Sequence, residues 1–156
     1  MKKRKSILIY AYGNPGRQDD GLGNALVTAL EPWLAERDIN HVELDSNFQL
    51  NIEDAENIRD RDVVVFADAS IEDVEPFHFG TVDPSEGRSE YTLHAASPAY
   101  ILALCIKLYH RQPPTFLLQI RGYEWNFGEG LSPKARKNLE KALKFLKNRI
   151  VSGNWN

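Results

Sequence analysis

Four side chains in this sequence could do chemistry together. Asp19 and Asp20 stand side by side in "AYGNPGRQDDGLGNAL", residues 11–26, Asp68 follows five apolar residues in "DVVVFAD", and His94 lies just before a Ser-Pro pair. Two carboxylates and a neutral imidazole from separate segments form a donor set for a divalent transition metal. They also suit acid–base work, when neighbouring carboxyl groups have their pKa values pushed apart. Either use needs the carboxylates held closely. The loop through Gly13, Asn14, Pro15 and Gly16, with Gly21 and Gly23 just beyond it, supplies the tight turn. Plainer readings stand beside these: Asp19 or Asp20 caps the helix that follows, Asp68 forms a turn, and His94 is a surface histidine.

Other chemistries fit less well. "YGNPGRQDDGLG" has no Gly-Lys-Ser/Thr and so is not a Walker loop. As a dinucleotide loop it would aim two carboxylates at a pyrophosphate, at the helix N-terminus where the phosphate must sit. A cationic ligand suits it better. His41, His78 and His110 have no acidic company at a strand end and read as structural. Cys105 falls on an apolar helical face, as packing. The lysines and arginines from Lys134 to Lys147 read as the solvated face of a last helix, with a docking surface for an acidic partner as the sharper alternative.

The elements that must position these residues follow from hydrophobic spacing. Ser6–Tyr12 reads as a buried parallel strand, and Leu22, Ala25, Leu26, Ala29, Leu30, Trp33 and Leu34 share one helical face that Pro32 should kink or shorten. His41–Asp45 reads as a strand, Ile52–Ile58 as a short acidic helix, and Asp62–Ala67 as a buried strand that stops where Asp68 leaves the sheet. Phe77–Val82 is a further strand, reached by too short a connection for a helical crossover, and is expected to be antiparallel at an edge. Ser97-Pro98 and Ser132-Pro133 each open a helix, with Ser as N-cap and Pro at the first helical position. The first of these buries Ile101, Leu102, Cys105 and Leu108. The second runs to about Arg149, with Ala135, Leu139, Ala142, Leu143, Leu146 and Ile150 as its apolar face. Thr115–Ile120 is the last strand. The expected fold is α/β with three layers: a mostly parallel central sheet of about five strands, one of them antiparallel, and helices on both faces. Ligands of such sheets bind outside the carboxyl ends of the strands, where Asp20, Asp68 and His94 are all placed.

Bulk properties narrow the classes. The chain has 156 residues, 42% of them hydrophobic and 26% charged, which suits a single soluble domain spanning 1–156. A formal net charge of −3 argues against nucleic acid or an anionic membrane as partner. One cysteine leaves no internal disulfide and no Cys-based metal knuckle. The basic start leads through a short apolar run into the Gly-rich loop with no cleavage pattern, so it reads as a strand with a basic leader and the expected home is the cytoplasm.

Four stretches together resemble the hydrogenase maturation endopeptidases. "AYGNPGRQDDGLG" is similar to that family's Gly-x-Gly-Asn-x4-Asp-Asp/Glu-x-x-Gly signature, with Ala11 in place of the first glycine. "VVVFADA" is similar to its second motif, "LHAASPAYILAL" to its third, and "LLQIRGYEWNFGEGLSP" to its closing strand, loop and helix start. The resemblance implies an aspartyl protease-like enzyme that removes the C-terminal tail of a nickel–iron hydrogenase large-subunit precursor after nickel insertion. It implies that Asp20, Asp68 and His94 contact the substrate's nickel and that the enzyme holds no permanent cofactor. Gly13, Asn14, Asp19, Gly21 and Gly23 are expected to support the loop that positions them. "QLNIEDA" is similar to a subgroup that processes soluble, multi-subunit hydrogenases. Two alternatives stay open. One is a nickel-dependent binding or chaperone module that uses the same trio without cleaving. The other is an enzyme like the peptidyl-tRNA hydrolases, whose "GNPG" is shared but whose early histidine is replaced here by Arg17–Asp20.

Overall fold

The computed structural model describes residues 4–86 and 96–156. It is an α/β fold with a five-stranded sheet in the order β2-β1-β3-β5-β4. The strands are β1 (Ile7–Tyr12), β2 (Val42–Asn47), β3 (Val63–Ser70), β4 (Phe77–Thr81) and β5 (Thr115–Arg121). β1, β2, β3 and β5 are parallel neighbours, and β4 pairs antiparallel with β5 at the edge, as its short connection requires.

Alternation along the strands feeds two cores. Ile7, Ile9, Ala11, Val63, Val65 and Ala67 face α1 (Leu22–Glu36) and α4 (Pro133–Ser152). Leu8, Tyr10, Val64 and Phe66 face α2 (Asp54–Ile58) and α3 (Pro98–Tyr109). β1 and β3 are buried on both sides, which is why they read as continuous apolar runs. α1 buries Leu22, Leu26, Leu30 and Leu34 at a four-residue spacing. Ser97 Oγ accepts the Tyr100 N–H at 3.1 Å and Ser132 Oγ accepts the Ala135 N–H at 3.3 Å, so both Ser-Pro helix starts form as expected.

α1 continues through Pro32 to Glu36, so the proline does not shorten it. Two local expectations are corrected. β3 does not stop before Asp68, because β5 keeps pairing with it through Ser70 after β1 has ended its pairing at Ala67. Leu108 is exposed: it sits in the last turn of α3, where Tyr109 packs on the core instead.

Strand order makes the carboxyl ends of β1 and β3 a switch point. The chain leaves β1 toward β2 on one side and builds β3 and β5 on the other, which opens a crevice between the two outgoing loops.

Candidate active site at the β1/β3 switch point

The loop after β1 is folded back on itself. Gly13 has φ 147, in a region that disfavours side chains, and a Cβ there would fall 2.1 Å from the Asp20 carbonyl oxygen. Asn14 closes the turn: its Oδ1 accepts the Gly16 N–H at 2.9 Å and its carbonyl accepts the Arg17 N–H at 3.0 Å. Asp20 Oδ2 accepts the Asn14 N–H at 2.9 Å, which ties the carboxylate to the loop's start. Gly21 lies against Pro15. Gly23 lets α1 lie directly on the sheet, since a Cβ there would come within 2.7 Å of the Ala67 carbonyl oxygen and 3.2 Å of Ala11 Cβ. Close packing at Gly23 thus sets the first turn of α1 against the residue that precedes Asp68.

Asp68 projects on the α2/α3 side of β3, in phase with Val64 and Phe66. Tyr12 is in phase with Tyr10 on the neighbouring strand and hydrogen-bonds the Asp68 carboxylate. Asp68 Oδ1 also accepts the Ala69 N–H at 2.8 Å. Burial is the largest influence on this carboxyl, and with the nearby Asp20 charge it outweighs both hydrogen bonds, so the Asp68 pKa is pushed up to about 7. Burial and the Asp68 charge in turn drive the Tyr12 phenol well above its ordinary value. Two carboxylates held in a partly dry crevice, with few donors among the described residues, can bind a cation or handle a proton. Tyr12 was missed in the sequence. Its signal was its position, in β-phase with Tyr10 at the carboxyl end of β1.

Asp19 does something else. It caps no helix: Gly21 is the N-cap of α1 and no side chain caps it. Asp19 is fully buried, and its carboxylate accepts the N–H groups of Tyr123 at 2.8 Å, Glu124 at 2.9 Å and Ser132 at 2.7 Å, and the Ser132 hydroxyl at 2.7 Å. Burial alone would raise its pKa, but the Ser132 and backbone donors overcome that and hold it below the usual carboxylate range. Asp19 therefore pins the β1–α1 loop to the β5–α4 loop. Further bonds join them: Gln18 N–H to Gly128 O at 2.9 Å, Gly128 N–H to Gly16 O at 2.9 Å, and Asp19 N–H to Glu124 O at 3.0 Å.

His94 lies outside the described residues. Among the described residues, no group of three or more His, Cys, Asp and Glu side chains is placed to hold a metal. His78 lines a groove beside Gly80, His41 has a buried ring nitrogen near Arg4, and His110 is the left-handed C-cap of α3. Cys105 is buried and free. No described helix is long and apolar enough to cross a membrane.

No protein-family model and no curated protein matches the sequence. Solved structures do match. The [NiFe] hydrogenase maturation protease HycI from Thermococcus kodakarensis KOD1 superposes with a TM-score of 0.74 at 18% identity, over 94% of this chain and 93% of that one. The hydrogenase maturating endopeptidase HybD from E. coli superposes with a TM-score of 0.72 at 20% identity, over 97% and 94%. The [NiFe] hydrogenase maturation protease HybD from Thermococcus kodakarensis gives 0.63 at 22% identity, over 94% and 98%. The chain thus has the three-layer α/β fold seen in the hydrogenase maturation proteases, over nearly its whole length.

Proposed function

We propose that the protein is a hydrogenase maturation endopeptidase. It removes the C-terminal tail of a nickel–iron hydrogenase large-subunit precursor after nickel insertion. The observation that supports this reading is a half-buried Asp68 carboxyl at the end of β3 that feels the charge of Asp20 from the loop after β1, and whose pKa is pushed up to about 7 by burial and by that charge. Anionic groups kept short of donors gain most from a cation, and the nickel held in the precursor is that cation, as part of the substrate. Oxygen and imidazole ligands suit a divalent nickel ion. In this reading Asp20, Asp68 and His94 contact it, and Tyr12 holds the Asp68 carboxylate in place.

Contact with the metal sets the scissile segment beside the same three residues, and that positioning accounts for much of the rate. A carboxyl that titrates near neutrality is also suited to take up and return a proton during hydrolysis. Gly13, Asn14, Asp19, Gly21 and Gly23 keep the loop in shape. The enzyme needs no resident cofactor, nucleic acid or membrane and works in the cytoplasm.

Mass spectrometry of the nickel-loaded precursor, before and after incubation with the protein, tests the reading. Loss of a C-terminal peptide is expected. An unchanged mass together with nickel-dependent complex formation would instead mark a binding module that does not cleave.

A further inference from the structure

Six large apolar side chains are strongly exposed among the described residues: Phe48, Ile52, Ile71, Leu108, Phe127 and Val151. Their distribution is uneven. Leu108 and Val151 lie in the last turns of α3 and α4, which run back toward the amino edge of the sheet. The other four belong to the segments that leave the carboxyl ends of β2, β3 and β5. Phe48, 69% exposed, directly follows Asn47, whose carbonyl accepts the Gly13 N–H. Ile71, 69% exposed, follows β3 and stands three residues past Asp68, about 10 Å farther along the strand direction. Phe127, 88% exposed, lies beside the turn that carries Asp20.

Phe127 is exposed without being loose. Gly128 exchanges bonds with Gly16 and Gln18, the Asn126 N–H donates to Gln18 Oε1 at 3.1 Å, and an Arg17 amino group donates to the Trp125 carbonyl at 3.1 Å. The Arg17 guanidinium lies 5.5 Å from the centre of the Phe127 ring. An aromatic ring held out by a braced loop loses little freedom on binding, and aromatic residues and arginine dominate the energetics of protein interfaces.

We propose that Phe48, Ile71 and Phe127 form a preformed apolar collar that seats the folded body of the protein whose scissile segment enters the Asp20/Asp68 crevice. The proposal rests on the functional reading above and adds to it a second recognition surface, separate from the residues that face nickel. The occupant follows from continuity. The three side chains come from three loops at the carboxyl edge of the sheet, the edge that also carries Asp20 and Asp68, so a folded protein that presents a segment to those carboxylates lies against that edge. A short free peptide reaches the crevice without covering all three, whereas a folded protein covers them together. The collar therefore selects for the intact precursor over the same segment as a free peptide.

The test compares wild type with the triple variant Phe48→Ser, Ile71→Ser, Phe127→Ser on the nickel-loaded precursor. We expect KM to rise at least about tenfold, kcat to stay within about twofold, and thermal melting to be unchanged, because the three side chains are exposed in the free protein. If the triple variant melts early, Phe127→Ser alone carries the test: its KM must still rise by about threefold or more and return toward wild type in Phe127→Leu. An unchanged KM in a variant that cleaves normally overturns the collar and leaves the proposed function standing. A wild-type protein that cleaves no precursor overturns the function, and the collar falls with it.

Discussion

Asp19 and Asp68 are carboxylates of the same sheet edge, the first fully buried and the second half-buried. Burial pushes each toward its neutral form. Asp19 meets four donors from a loop more than a hundred residues away and stays charged below the usual range. Among the described residues, Asp68 meets one backbone N–H, the Tyr12 phenol and the repulsion of Asp20, and its pKa climbs to about 7. The difference lies in who supplies the donors. A satisfied buried carboxylate is a structural clamp, whereas an under-supplied one is held ready for something that arrives later. Among the described residues the donors gather on Asp19, which builds the crevice, and few reach Asp68, which lines it.

The largest effect should come from breaking the clamp. Asp19→Ala leaves three backbone N–H groups and the Ser132 hydroxyl without their acceptor inside the protein. Removing one side of a buried, charge-assisted network costs about 4 kcal/mol. For a chain of this size that corresponds to a fall of about 10 °C in melting temperature. Calorimetry of the variant checks it. A melting point within a degree or two of wild type would mean that the two loops are held together without Asp19.

Asp20→Asn should do the reverse. The carboxylate accepts one bond, from the Asn14 N–H, and the carbonyl oxygen of an asparagine can accept the same bond. Stability should change by less than about 0.5 kcal/mol. Under the proposed function, tail removal from a nickel-loaded precursor should fall about a hundredfold, because the metal would lose an anionic contact that positions the scissile segment. Parallel measurements of melting and of processing decide it. Normal cleavage by a folded Asp20→Asn protein would remove Asp20 from the site.

The contrast between these residues also marks where sequence reasoning works. Periodicity depends on neighbours within a few residues, so β1, β3 and the apolar faces of α1 and α4 were legible, as were the Ser97 and Ser132 caps. The antiparallel edge position of Phe77–Thr81 was legible from the shortness of one connection. Asp20 and Asp68 were expected at the carboxyl ends of their strands, but that β1 and β3 are neighbours is set by the strand order of the assembled sheet. The role of Asp19 was not legible. Its acceptors' partners lie 104–113 residues downstream, and nothing local distinguishes such an aspartate from a helix cap. The extension of β3 past Asp68 depends on the length of β5, and the exposure of Leu108 on where the sheet ends beneath α3. Both are properties of the assembled layers.

The pH dependence of stability sharpens the comparison with the smallest and most diagnostic effect, since the two carboxylates should act with opposite sign. Asp68 has its folded pKa raised, from 3.8 to about 7. Its neutral form costs the fold nothing below the unfolded value, and the fold loses stability as pH rises from there through about 7. Three units would correspond to about 4 kcal/mol at about 1.36 kcal/mol each, and relaxation of the site should leave about half of that. Asp68→Asn is permanently neutral and can still accept from Tyr12 and Ala69. It should therefore be more stable than wild type by about 2 kcal/mol at pH 8, with the gap closing toward pH 4. Asp19 has its folded pKa lowered, so its contribution is present above the ordinary carboxylate value and is lost as pH falls through the depressed one. The deficit of Asp19→Asn should be full at pH 6–8 and shrink only in strong acid. Denaturant melts of wild type and both variants from pH 3 to pH 8 give two difference curves. Subtracting wild type cancels other titrating groups, including the raised Asp54. If Asp68→Asn gains nothing at pH 8, the Asp68 carboxylate already has the donors it needs, and the distinction between clamp and crevice collapses.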